Sequence, residues 1–79
     1  MNVNDAVAQR ILQYCDERNI SINKLATNSM LTQSTLNNIV NGYTKDVKLL
    51  TICRICAGLE ISLVEFFDCD LFDDINLYI

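Results

Sequence analysis

Gln33, Ser34, Asn37 and Asn38 stand at the i, i+1, i+4, i+5 interval that sets side chains on one face of a helix. All four are short and neutral, and a carboxamide both donates and accepts hydrogen bonds. Such a face can pair with a patterned surface of donors and acceptors. On a short helix it is more often only a solvated face, so it needs a second signal. Cys53-Arg54-Ile55-Cys56 is the other pattern with chemistry in it. A zinc site needs four ligands, commonly from two paired motifs, and this chain has no histidine and no second Cys-x-x-Cys. Both thiols are therefore expected in or beside the core, with an intersubunit site or redox switch as the alternative; no metal and no cofactor is expected. Catalysis finds no support: there is no glycine-rich phosphate loop and no serine or cysteine with a recognisable base partner. The expectation is a protein that is not an enzyme.

Short helices must hold these residues, because the chain has no proline, two glycines and helical apolar spacing throughout. The first helix is expected over Asn4 to Arg18. Val7, Ile11 and Tyr14 form its buried stripe, and Ala8, Leu12 and Cys15 widen it. Asn4 is its expected N-cap, with Asp5 in the first turn, and Asn19 ends it in the left-handed conformation. Ser21 opens a second helix, Ile22 to Asn28, whose buried face is Ile22, Leu25 and Ala26. A turn over Asn28 to Leu31 follows. Thr32 caps a third helix, Gln33 to Asn41, with Leu36, Ile39 and Val40 inward and Asn41-Gly42 as its stop. The loop Tyr43 to Lys48 leads to a fourth helix, Leu49 to Gly58, whose core face is Ile52, Ile55, Cys56 and Leu59. Ser62-Leu63-Val64-Glu65 reads as a capping box opening a fifth helix that ends near Phe67. Residues 1–67 then make one domain, and 68–79 an acidic and apolar tail.

The 79 residues carry a hydrophobic fraction of 51% and a charged fraction of 20%, a balance that builds a compact core rather than a disordered chain. The opening residues show no basic region followed by an apolar run, and no stretch approaches the ~20 apolar residues of a membrane helix. A cytoplasmic protein without a membrane partner is expected, and its four cysteines are then reduced thiols. The formal net charge is −4, but it is unevenly spread. All six bases (Arg10, Arg18, Lys24, Lys45, Lys48 and Arg54) lie before residue 65, against five acids, for a net of +1. Glu65, Asp68, Asp70, Asp73 and Asp74 crowd the last fifteen residues with no base among them.

The run from Leu25-Ala26 through Thr32-Gln33-Ser34-Thr35-Leu36 to Asn41-Gly42 resembles the helix-turn-helix of the phage Cro/repressor-like (XRE) family. The similarity continues through Thr51-Ile52, Ile55-Cys56 and Leu59-Glu60-Ile61-Ser62-Leu63, so that it covers residues 7 to 67. Three departures stand out. Family members commonly have glycine in the turn where this chain has Ser29 or Met30, and Asn28 is expected to take the left-handed residue instead. Val47 replaces a usual proline. Cys15 and Val40 together replace an Arg–Glu ion pair, a paired apolar swap that can be neutral or stabilising.

The resemblance implies an all-α, compact five-helix lambda-repressor-like DNA-binding domain with its helix-turn-helix at helices 2 and 3. It also implies major-groove readout by residues 33–41. Gln33 is the leading base contact, its carboxamide matching adenine N6 and N7; Ser34, Asn37 and Asn38 are the others. Thr32, Thr35, Asn41, Tyr43, Lys45 and Lys48 are the expected backbone contacts, together with the helix N-termini. The function implied is a sequence-specific transcriptional regulator, a repressor, binding double-stranded DNA as a homodimer. The apolar tail, Phe66 and Phe67 are one expected contact between copies; packing of the tail on its own domain is the other. No small-molecule ligand is evident. The acidic balance and the absence of a base on the third helix motivate an alternative, an antitoxin-like or regulatory interaction module that kept the fold without strong DNA binding.

Overall fold

The structure, a computed structural model, describes residues 1–77. Five α-helices follow one another among the described residues: α1 (Val3–Arg18), α2 (Ile22–Asn28), α3 (Gln33–Val40), α4 (Leu49–Leu59) and α5 (Leu63–Phe67), followed by a 3-10 turn over Asp70–Phe72. No strand is present among the described residues, and the architecture is the all-α, lambda-repressor-like one. α2 packs against both α3 and α4, α1 against α3 and the 3-10 turn, and α4 against α5.

Four of the five helix N-termini are set by a short polar side chain. Asn2, Ser21, Thr32 and Ser62 accept a hydrogen bond from the third residue beyond themselves, in α1, α2, α3 and α5. The cap of α1 is thus Asn2, two residues earlier than expected. Asn4 is left free to do something else: its Nδ2 donates to the Lys45 carbonyl.

The C-termini of α1 to α4 share one device. A residue at positive φ (Asn19, Met30, Gly42 and Glu60) turns the chain, and the next amide reaches back across the last turn. The second bonds are Ile20 to the Cys15 carbonyl (3.0 Å), Leu31 to Ala26 (2.9 Å), Tyr43 to Asn38 (2.9 Å) and Ile61 to Cys56 (3.0 Å). Asn19 and Gly42 are the residues expected there. The turn between α2 and α3 differs: its left-handed residue is Met30 at φ 58°, not Asn28, which remains the last residue of α2. The reason is positional, since the bonds from Met30 to Thr27 and from Leu31 to Ala26 place the αL residue two beyond Asn28.

The core gathers Val7, Ile11, Tyr14 and Cys15 from α1, Leu25 and Ala26 from α2, and Leu36 and Ile39 from α3. Ile52, Ile55, Cys56 and Leu59 of α4 and Phe66 of α5 complete it. Cys15 is buried in this cluster and Val40 packs on its edge, so both residues of the apolar swap join the core. Leu12, counted with the buried stripe, instead lies 44% exposed on the outer side of α1. Of the Cys-x-x-Cys pair only Cys56 is core; Cys53 is exposed, because it lies on the far side of Cys56 from the stripe that Ile52, Ile55 and Leu59 bury. Burial pushes the Cys15 and Cys56 thiols up, so both stay neutral.

α4 continues one residue past Gly58, which serves as a packing point rather than a stop. A Cβ there would lie 2.2 Å from Ser29 Oγ and 3.0 Å from the Ser29 nitrogen. Only glycine lets the end of α2 cross α4 this closely.

A second, aromatic layer closes the end of the core. Phe66 is fully buried, stacked 6.4 Å from Tyr14, edge-on to Phe67 at 5.1 Å and tilted against Phe72 at 6.1 Å. Phe67 and Phe72 meet edge-on at 4.8 Å. Phe72 belongs to the tail, so the tail folds back on its own domain, and the Asn76 amide bonds to the Met1 carbonyl at 3.0 Å. Tyr78 and Ile79, the last apolar residues of the tail, lie outside the described residues.

Arg10 ties this layer to α1. Its Nε donates to the Phe66 carbonyl at 2.7 Å and one terminal nitrogen to the Glu65 carbonyl at 2.8 Å and to Tyr14 Oη at 3.1 Å. A five-residue helix leaves most of its carbonyls without an internal partner, and the rigid fork of a guanidinium can take two at once. Tyr14 Oη faces the Glu65 carboxylate at 3.5 Å, so Glu65 looks toward α1 and only the Ser62 half of the capping box forms. Burial raises the Tyr14 pKa, against the pull of Arg10 and with added push from Glu65. Arg18 repeats the device one helix over, donating to the Leu59 carbonyl at the end of α4.

Candidate nucleic-acid interface

α3 has its expected inward face: Leu36 and Ile39 are buried and Val40 is half-buried. Gln33, Ser34 and Asn38 are consequently exposed, while Asn37 is half-buried. The structure brings these four together on one side of the helix but does not leave them equivalent. Asn37 Nδ2 donates to the Gln33 carbonyl at 2.9 Å, so part of its hydrogen-bonding capacity is spent within its own helix. Gln33 at the first position of α3 and Asn38 one turn on keep both ends of their carboxamides toward solvent.

Thr32 and Thr35 form a closed unit. Thr32 Oγ1 accepts from the Thr35 amide at 3.1 Å, and the two hydroxyls lie 2.8 Å apart. Since α3 makes its first ladder bond at Leu36, the Gln33 and Ser34 amides point forward without a partner in the helix. The start of α3 therefore presents two N–H groups, two hydroxyls and a carboxamide, with the positive end of a helix behind them.

The loop after α3 is pinned at three places. Tyr43 and Thr44 both donate to the Asn38 carbonyl, at 2.9 and 3.3 Å; Asn4 holds the Lys45 carbonyl; and Val47 packs on the core. Asn41, Tyr43, Lys45 and Lys48 are exposed on this fixed loop. Tyr43 departs from its three counterparts. Ile20, Leu31 and Ile61, the residues just after the other left-handed caps, fold onto the core, but Tyr43 stands 75% exposed.

Two features of this edge were not singled out from the sequence. Asn4 anchors the loop from forty-one residues away, and no local pattern carries that signal. Lys48 occupies the cap position of α4 without a side-chain cap bond, so the first amides of α4 are open beside a lysine. The missing Ser, Thr, Asn or Asp before Leu49 is legible in the sequence once the helix start is known.

Of the six bases, Arg10 and Arg18 are engaged with the carbonyls of α5 and α4. Lys24, Lys45, Lys48 and Arg54 remain exposed. Among the described residues no helix is long and apolar enough to cross a membrane, and no group of three or more His, Cys, Asp or Glu is placed to hold a metal ion.

No curated protein and no solved structure matches the chain significantly. The family profile described as a Cro/C1-type HTH DNA-binding domain matches residues 10–73, which takes in all of α2 to α5, the arginine that holds α5 and the turn carrying Phe72. With well over half of its length matched, and with the helix-turn-helix formed by α2 and α3, this chain belongs to the Cro/C1-type helix-turn-helix DNA-binding family.

Proposed function

We propose that the chain is a sequence-specific transcriptional regulator, a repressor, that lays α3 in the major groove of double-stranded DNA. The observation that carries this reading is the pairing of an exposed, neutral, hydrogen-bonding face on α3 with a loop of lysines pinned beside it. Gln33 reads an adenine edge, with Ser34 and Asn38 on neighbouring bases and Asn37 contributing through its carbonyl oxygen. Discrimination of roughly 1–3 kcal/mol for a good bidentate pair suits a carboxamide free at both ends. Thr32, Thr35, the first amides of α3, Asn41, Tyr43, Lys45 and Lys48 hold the phosphates.

A domain this small reads only a few base pairs, so two copies occupy a two-fold site with half-sites ~34 Å apart. Phe66 is fully buried, and Phe67 and Phe72 are packed face to edge within one chain, which favours DNA itself setting the copies side by side over a contact through Phe66. Repression then follows from occupancy of the site.

Selection of bound sequences from random duplexes at two salt concentrations tests the reading. Enrichment of a palindromic motif, lost on Gln33→Ala with Asn38→Ala, is the expected result. An unenriched pool at low salt would remove sequence-specific binding.

A further inference from the structure

The start of α1 lies between the tail and the loop that follows α3, and it is bonded to both. On one side the Asn76 amide donates to the Met1 carbonyl at 3.0 Å, and Met1 borders an open hollow with Cys69, Asp70 and Leu71. On the other side Asn4 Nδ2 donates to the Lys45 carbonyl. Met1 also borders a second hollow with Val40, Asn41 and Gly42, where α3 ends. Asn2 and Asn4 border a third with Thr44 and Lys45. Between the two bonds the chain is stiff. Asn2 Oδ1 accepts from the Asp5 amide at 2.8 Å, and the Asn2 carbonyl from the Ala6 amide at 3.1 Å. The tail is anchored in its turn, because Phe72 packs on Phe66 and Phe67.

We propose that residues 73–76 are a strap which, by closing the first turn of α1, makes Asn4 the positioning residue for the loop Tyr43 to Lys48. The end of a chain frays unless something outside it ties it down, and the tie here is the bond to Met1. With the turn closed, Asn4 stays within reach of the Lys45 carbonyl and the loop keeps the shape that carries its lysines. With the strap released, the turn opens and closes, and Asn4 loses its acceptor for part of the time. Lys45 and Lys48 must then be ordered when a phosphate arrives, which weakens binding to every duplex alike. Preference among sequences stays with α3, which is held through its own buried Leu36 and Ile39. The consequence for DNA rests on the major-groove reading of α3; the coupling between tail and loop does not.

Amide hydrogen exchange of the ¹⁵N-labelled full chain reads the coupling without DNA. Asn76→Pro removes the donor to Met1, and Asn76→Ala, which keeps that amide, is the reference. The Tyr43 and Thr44 amides, both bonded to the Asn38 carbonyl, should exchange about fivefold faster in the proline variant, the effect of one lost hydrogen bond. The Leu31 and Ile61 amides, at the ends of α2 and α4, should keep their rates. In an Asn4→Ala background the proline should leave Tyr43 and Thr44 where Asn4→Ala alone puts them. Equal acceleration of all four amides, an additive effect in that background, or no acceleration would overturn the strap. On the preferred duplex Asn76→Pro should weaken binding about threefold with sequence preference unchanged. If the exchange pattern holds while the parent binds no duplex, the strap stands and the DNA reading falls. If the parent binds and its affinity ignores Asn76→Pro, the positioning role of Asn4 is overturned.

Discussion

The α3 edge and the α1–α5 end of this molecule carry similar raw materials and use them in opposite ways. At the α1–α5 end Arg10 directs its guanidinium at two backbone carbonyls and a tyrosine, Arg18 at another carbonyl, and four aromatic rings enclose one another. At the α3 edge Gln33 and Asn38 keep their carboxamides in solvent, Tyr43 is exposed where its counterparts pack half-buried on the core, and the lysines ride on a loop fixed by other atoms. Charge is therefore a poor guide to which side meets DNA, because two of the six bases are structural. What separates the sides is whether hydrogen-bonding capacity has already been used in folding.

The sharpest way to break the contrast is to exchange the expected readouts. Phe66→Ala should cost about 3–5 kcal/mol in denaturant unfolding, a large part of the total stability of a domain this size. Gln33→Ala with Asn38→Ala should leave unfolding within about 0.5 kcal/mol of the parent, while lowering affinity for the preferred sequence by ten- to a hundredfold or so. If the double variant unfolded early, or if its DNA binding were unchanged, the α3 face would be a structural surface after all.

Local signals made most of the fold legible. The caps Ser21, Thr32 and Ser62, the stop at Asn41-Gly42 and the apolar spacing of α3 and α4 each act within a few residues, and the helices lie where those signals put them. The failures involve distance. Asn4 resembles a cap, yet its partner is the Lys45 carbonyl. Gly58 resembles a helix stop, yet the atom that requires it belongs to Ser29. The tail reads as apolar residues in search of a surface, and nothing local says that Phe72 finds it on Phe66. The α3 face was legible as a polar face, but the difference between Asn37 and Asn38 depends on a back-bond visible only in three dimensions.

Arg10→Met tests the structural side of the contrast at an intermediate scale. Removing a charged donor from the Phe66 and Glu65 carbonyls should destabilise by about 1.5–3 kcal/mol, with DNA affinity of the folded protein and its salt dependence unchanged. An arginine that instead contributed to the DNA surface would show the reverse: little loss of stability and a shallower salt slope.

Lys45→Gln and Lys48→Gln probe the other side. Each should weaken binding to all sequences alike and reduce the slope of log affinity against log salt by about one phosphate contact. Both side chains are exposed, so stability should move by no more than about 0.5 kcal/mol. A change in sequence preference rather than in the slope would transfer the residue from grip to readout.

The smallest effect concerns the turn that joins the two helices of the motif. Met30 holds φ 58° with its side chain 86% exposed, so its left-handed backbone is compensated by no packing of its own. The conformation is forced by the bonds from Met30 to Thr27 and from Leu31 to Ala26, which close α2 and set the entry of α3. Glycine adopts that region without the Cβ penalty but loses more backbone freedom on folding. The two effects oppose each other, and the Cβ strain is the larger. Met30→Gly should therefore stabilise by about 0.5–1 kcal/mol, a rise of a few degrees in the thermal midpoint for a chain of this length. DNA affinity should hold, because the substitution relieves the turn without moving α3. A loss of affinity with a gain in stability would mean that the exposed methionine side chain itself belongs to the surface that meets DNA, and the boundary between the two sides of the molecule would shift by one turn.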